Sequence, residues 1–373
     1  MRRTGLALAL LVVPVAVAGC DGKPDAPADD VVTVGATDTA CTVSATQLPA
    51  GPHTFRVTNS GTKVTEFYVY GPAARVAGEV ENIAPGLTRD LRVELSAGTY
   101  DAVCKPGMAG DGIHHPLTLT GAASAPAAPS DPVLNAAVAE YARYVSTQSD
   151  DLLARTKQWV AALKTGDTRA AKARFARTRA PFERIEPIAE SFADLDRRID
   201  ARDTDLATGE QWTGFHRLEN DLWTGSRPDP ATADALLADV TALDRQLHTQ
   251  RFTALDLANG AKSLLDEVAS KKVTGEEDHF SHTDLWDFAA NIDGCRAVIK
   301  ALRAAVDRRD PALGPLIDER FATVDALLAR YRDGAGRYAD YTKLSPAQVR
   351  ELSDAINGLA EPVSHLATAV SSR

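Results

Sequence analysis

Beyond its first twenty residues the sequence has no apolar run of membrane-spanning length, so no transmembrane helix is expected in the body of the chain. It is short of positive charge: 41 Lys and Arg stand against 51 Asp and Glu, a formal net charge of −10. That balance argues against nucleic acid and anionic headgroups as partners and favours cations. No repeat of fixed period occurs, which removes solenoids from consideration. Two histidines are missing where metal chemistry would need them. None follows Glu219, where Asn220 stands, so neither zinc-protease signature is complete. None lies between Cys104 and Met108, so a blue-copper ligand set is not met, although His53, His114 and His115 are present elsewhere.

What is present begins with an export signal. Arg2 and Arg3 precede a continuous apolar stretch, Gly5 to Val17, too short to be a stable spanning helix. It ends in Val17-Ala18-Gly19-Cys20, a pattern that resembles a bacterial lipoprotein signal with Cys20 acylated as the mature N-terminus. Residues 1–19 are therefore expected to be a signal peptide. Residues 20–30, rich in Pro, Ala and Asp, cannot build a core and read as a flexible tether. The expected location is outside the cytoplasm, at the outer face of the membrane or in the periplasm, held by lipid. Loss of Arg2 and Arg3 with the signal makes the mature chain more acidic still.

Residues 31–120 alternate with period two, as in His53-Thr54-Phe55-Arg56-Val57 and Leu91-Arg92-Val93-Glu94-Leu95, with turn signals such as Asn59-Ser60-Gly61 between the runs. Short strands at this spacing predict an all-β Greek-key sandwich. Residues 121–131 are Ala-, Ser- and Pro-rich and read as a linker. From Pro132 to residue 373 the period becomes helical, with segments near 132–165, 167–201, 208–224, 230–250, 253–272, 281–308, 313–332 and 345–371. Short breakers separate them, and Asp167 and Ser345 sit where N-caps belong, so an all-α bundle follows.

Three spots in the helical half could carry chemistry. In Pro181-Phe182-Glu183-Arg184-Ile185-Glu186-Pro187 two carboxylates share one helix face between two prolines; facing inward they would suit a hard cation, facing outward Arg184 would neutralise them. His216 and Glu219 share a face among Trp212, Phe215, Leu218 and Leu222, as metal ligands or as a core ion pair. In Gly275 to Phe288, Ser281 with Asp284 has the spacing of a capping box, and Glu276 to Asp278 read as a loop. Cys295, in an apolar helical pattern, reads as a buried small hydrophobe.

Taken in order, the blocks Phe182–Glu190, Ile199–Arg202, Gly214–Glu219 and Gly275–Phe288 resemble the EfeO family of extracytoplasmic iron-uptake components. Cys41, Glu66-Phe67, Glu81 to Gly86 and Gly98-Thr99-Tyr100-Asp101 with Cys104 resemble the same family's N-terminal half. The resemblance implies a cupredoxin-like domain followed by an imelysin-like domain whose signature is His216-x-x-Glu219. It implies a metal site of Glu183, Glu186, Asp200, His216 and Glu219, joined by a carboxylate from Glu276 to Asp278, taken as Glu277. It also points to Cys41, Glu66 and Cys104 as a copper or iron site, although two cysteines in an oxidising compartment can equally form a disulfide. The implied function is capture of iron for a high-affinity iron permease, with a haem peroxidase as a further partner. An oxygen-rich shell with one imidazole suits iron, manganese or zinc better than copper(I). Competing readings are an imelysin-type metallopeptidase, disfavoured by Asn220, and a module for acidic polysaccharide, disfavoured by the negative charge.

Overall fold

A computed structural model describes residues 31–71, 76–108, 110–121, 131–189, 192–206 and 209–371. Residues 1–19, expected to be a signal peptide, Cys20, the expected tether, most of the expected linker and Glu190 lie outside the described residues. The fold is the one expected: an all-β sandwich, then an all-α bundle.

The sandwich has nine strands among the described residues: β1 (Val31–Ala36), β2 (Cys41–Val43), β3 (Gln47–Pro49), β4 (Gly51–Asn59), β5 (Thr65–Tyr70), β6 (Val76–Ile83), β7 (Thr88–Leu95), β8 (Gly98–Pro106) and β9 (Ile113–Thr120). They form two sheets, β2-β1-β4-β7 and β3-β9-β8-β5-β6, with β1 parallel to β4, β3 parallel to β9 and the other pairs antiparallel. The period-two pattern sends Phe55, Val57, Leu91 and Val93 from one sheet, and Phe67, Val69, Ala102 and Leu117 from the other, into a shared core. Each large side chain buried there contributes roughly 1.5–3 kcal/mol. Cys41 and Cys104 are joined across the core by a disulfide, and the Glu66 carboxylate accepts from Tyr68 OH.

The bundle comprises α1 (Pro132–Thr165), α2 (Thr168–Ala189), α3 (Ala193–Asp200), α4 (Gly214–Thr224), α5 (Pro230–Leu247), α6 (Ala254–Ser270), α7 (Asp284–Arg309), α8 (Leu313–Arg330), α9 (Pro346–Val363) and α10 (Leu366–Ser371). No helix among the described residues is long and apolar enough to cross a membrane. Asp167 caps α2 through the Ala170 N–H, and Ser345 with Gln348 forms a capping box on α9. Three expectations fail locally. The segment 167–201 is two helices, and 345–371 is also two. Ser281 does not cap α7, which starts at Asp284 after Thr283; Ser281 Oγ bonds Thr283, and Asp284 accepts the Asp278 N–H at 3.2 Å.

Two close approaches lock α2 between α6 and α7. A Cβ on Gly260 would lie 1.9 Å from the Pro187 carbonyl oxygen, and one on Gly294 would lie 2.4 Å from that of Arg184, so only glycine permits these backbones to touch. Pro187 lacks an N–H, which leaves the Glu183 carbonyl without its helical partner. Asn291 of α7 supplies one at 3.0 Å. The same amide donates to the carboxylates of Glu183 (3.1 Å) and Glu186 (2.5 Å), so a proline in α2 is tied directly to the placement of two acidic side chains.

Candidate metal centre

The two carboxylates of α2 point inward. Glu183 is 0% exposed and Glu186 7%, and Arg184 pairs with Asp293 at 3.3 Å instead of with either. On α4, His216 and Glu219 are likewise buried. Asp200 arrives from the end of α3, and Glu277 and Asp278 from the segment before α7. All six residues expected to ligate metal, Glu183, Glu186, Asp200, His216, Glu219 and Glu277, therefore come to one region between helices.

His216 is its centre. Nδ1 lies 3.1 Å from Glu219 Oε2 and 4.0 Å from Asp278 Oδ1; Nε2 lies 3.6 Å from Asp200 Oδ1 and 3.9 Å from Glu277 Oε1. Two ligand-sized groups result, Asp200 with His216 and Glu277, and His216 with Glu219 and Asp278, each with its donor atoms within 4.8 Å of one another. Glu219 is fixed from behind by the N–H groups of Phe280 (3.2 Å) and Ser281 (2.7 Å). In the neutral ring with Nδ1–H directed at Glu219, Nε2 would present its lone pair on the side of Asp200, whose Oδ1 is buried without a hydrogen-bond partner.

Two buried cations hold the acids together. Arg179 is 0% exposed and donates to Asp278 at 2.8 Å, Asp200 at 3.1 Å, Glu277 at 3.3 Å and also to Glu183. Lys272, 1% exposed, donates to Glu186 at 2.5 Å and Glu183 at 2.9 Å and lies 3.5 Å from Glu277. Glu183 and Glu186 belong to this lysine end, outside both histidine-centred groups. Two further buried acids flank the cluster: Asp284, and Asp287 with both carboxylate oxygens unpartnered.

Eight buried or nearly buried carboxylates thus meet three permanent cations, the third being Arg202 at 3.5 Å from Glu277, and proton affinities record the imbalance. Burial, then repulsion from Glu183, pushes Glu186 well up; burial, then Asp278, does the same to Asp287 and lifts Asp284 to about 7. Asp196, at the edge, is raised to about 8 by burial and then by Asp200. Against the same burial, Lys272 and Arg179 hold Glu183 well below the usual carboxylate range, and Lys272 brings Glu277 down to about 2. Burial and Arg179 oppose a charged His216, but Asp200 and Glu219 outweigh them and push it up to about 10. Arg179 Nη1 stands 3.0 Å from His216 Nε2, a contact that only the neutral ring accepts. Proton and guanidinium therefore compete for one lone pair, the one a metal at Nε2 would need.

Arg179, Lys272, Asn291 and Asp287 escape the sequence reading. Arg179 carried a local signal, four residues before Glu183 on the same helix face. Lys272 carried none: it follows Lys271 at a helix end, where lysines are ordinarily solvated.

The sulfur-containing site suggested for the β-domain is corrected. Cys41 and Cys104 are bonded to each other and offer no thiolate. Glu66, 2% exposed, accepts from Tyr68 OH at 3.2 Å and faces Lys271 at 3.4 Å. Lys271 also meets Glu81 at 3.1 Å, so these carboxylates serve the contact between sandwich and bundle, where Asn259 donates to the Arg92 carbonyl at 2.6 Å.

The fold and site define a class: a cupredoxin-like sandwich joined to an imelysin-type bundle with a buried, acid-rich, histidine-centred cluster. The sequence model of the Imelysin family matches residues 137–366, and that of the cupredoxin-like domain matches residues 7–114. The iron uptake system component EfeO of Yersinia pestis is 38% identical over 377 residues, covering 98% of this chain and 96% of the relative. That of Escherichia coli O1:K1 / APEC is 38% identical over 345 residues, 90% of each chain. The chain belongs to the EfeO family of iron-uptake components.

Proposed function

We propose that this protein captures iron outside the cytoplasm at the cluster around His216 and passes it to a high-affinity iron permease. Anchoring through Cys20 would keep it at the membrane face, and a haem peroxidase of the same system would be a further partner. Asp200, His216 Nε2 and Glu277 would ligate iron, with Asp278 alongside and Glu219 orienting the imidazole. Glu183, Glu186 and Lys272 form an adjoining charge reservoir. The observation that carries this reading is the excess of buried carboxylates, which take up protons in place of missing positive charge. A metal cation satisfies them better, at the cost of releasing those protons and moving Arg179 off Nε2. Hard oxygen donors with one nitrogen match iron chemistry. No copper role is proposed for the bridged cysteines. No observation favours peptide hydrolysis.

Diffraction at the iron edge from crystals soaked anaerobically in ferrous iron tests the assignment. The expected anomalous peak lies within bonding distance of His216 Nε2 and the Asp200 and Glu277 carboxylates. A peak only at surface carboxylates would overturn it.

A further inference from the structure

On the far side of the α2–α7 wall from the metal centre, the bundle opens into a cleft of about 570 Å³. Four arginines line it, Arg155, Arg177, Arg184 and Arg332, in a chain whose net charge is −10. Its floor carries an aromatic pair, Trp286 and Tyr338, edge to face with ring centroids 5.5 Å apart. A volume of this size falls in the range of small-molecule sites, and the lining is built for charge.

The four arginines are not equivalent. Arg155 pairs with Asp151 at 2.7 Å and Arg184 with Asp293 at 3.3 Å. Arg177 and Arg332 have no carboxylate within ion-pair distance among the described residues. Instead the Arg177 guanidinium stacks over Trp286 at 5.5 Å and that of Arg332 over Tyr338 at 5.2 Å. A guanidinium over a ring keeps N–H donors for a further partner, although Arg332 Nε also donates to the Gly336 carbonyl at 3.4 Å. Two guanidinium groups without a carboxylate partner therefore stand at the two ends of one aromatic pair. Planar carboxylates are the groups such forks recognise in bidentate fashion. Asp293 and Asp325 also line the cleft and would accept hydrogen bonds from hydroxyl groups.

We propose that this cleft binds a small hydroxylated polycarboxylate anion through Arg177 and Arg332, a site separate from the iron centre. It requires nothing of the iron ligands, so failure of either reading leaves the other intact.

The test is calorimetric titration of the full chain with citrate, alongside R177Q/R332Q and R177K/R332K variants. Both arginines are surface residues, and circular dichroism with an iron titration checks that the variants keep fold and metal centre. The wild type should bind citrate saturably. The glutamine pair should weaken binding at least tenfold, and the lysine pair should recover only part of it, because charge returns without the fork. Acetate should not compete at equal concentration. Absence of saturable citrate binding, or equal binding by the glutamine pair, would overturn the proposal. Tighter binding of pyrophosphate than citrate would overturn the carboxylate assignment, and binding of an oligouronate without citrate would make the cleft a polysaccharide groove instead.

Discussion

Replacing Lys272 with methionine tests whether the acids of the centre are in electrostatic excess. Lys272 is 1% exposed and touches Glu183, Glu186 and Glu277, and methionine fills similar space without charge. Removing one partner from a buried ion-pair network costs about 3–5 kcal/mol, since the remaining charges stay desolvated. For a domain of this size each kcal/mol shifts Tm by roughly 2–4 °C, so the metal-free variant should melt about 6–20 °C lower. The loss should depend on pH. Glu186 already has a raised affinity for protons, and without Lys272 Glu183 joins it. A carboxyl whose folded pKa is raised contributes stability at low pH and loses it as pH climbs through that value, so the deficit should widen between pH 5 and pH 8. Scanning calorimetry after chelation, repeated with anaerobic ferrous iron, reads both effects. Iron should recover more of the melting temperature in the variant than in the wild type, because the cation replaces the lost charge. A variant within about 2 °C of wild type at pH 8, or one that gains no more from iron, would show that Lys272 does not offset an excess of buried acids.

Cys20→Ser should move the protein from the membrane fraction to the soluble one; a variant still membrane-bound in high salt would contradict lipid anchoring. Thiol titration of the unfolded, air-purified chain should find Cys41 and Cys104 only after reduction, with copper making no difference. Two copper-sensitive thiols before reduction would restore the metal reading of that pair. The metal-free wild type should lose stability as pH rises from about 6 to 9, because Asp284 titrates near 7 and Asp196 near 8, both raised from the unfolded value. A flat or rising melting temperature over that range would show that these acids are not repelled.

Much of this centre was legible in the sequence because its acids and histidine come in local pairs. Glu183 with Glu186, and His216 with Glu219, are each three residues apart, and helical geometry alone puts each pair on one face. The alternation of residues 31–120 and the change of period at Pro132 made both layers readable. The sequence could not show burial or what neutralises the acids. Arg184 is the nearest basic neighbour in sequence, yet the partners are Arg179, one turn earlier, and Lys272, from a different helix end. Asn291 answers a need created by Pro187, and that pairing exists only once Gly260 and Gly294 bring α6 and α7 against α2. Ser281 and Asp284 had the spacing of a cap, but Asp284 is buried and bonds the Asp278 backbone. Local propensity gave way there to the demands of the site.

Anaerobic calorimetric titration of ferrous iron into the wild type and a His216→Ala, Glu219→Ala double variant decides whether iron binds at the cluster around His216. The wild type should bind with proton release, visible as a buffer-dependent heat, and affinity should fall steadily as pH drops from about 9, because His216 holds its proton up to about 10. The double variant removes the imidazole and the carboxylate that orients it, and its affinity should drop by one to a few orders of magnitude, on the scale of lost ligand and supporting contacts. Equal affinity in the two proteins would show that the cluster around His216 is a structural ion-pair network and that iron binds elsewhere.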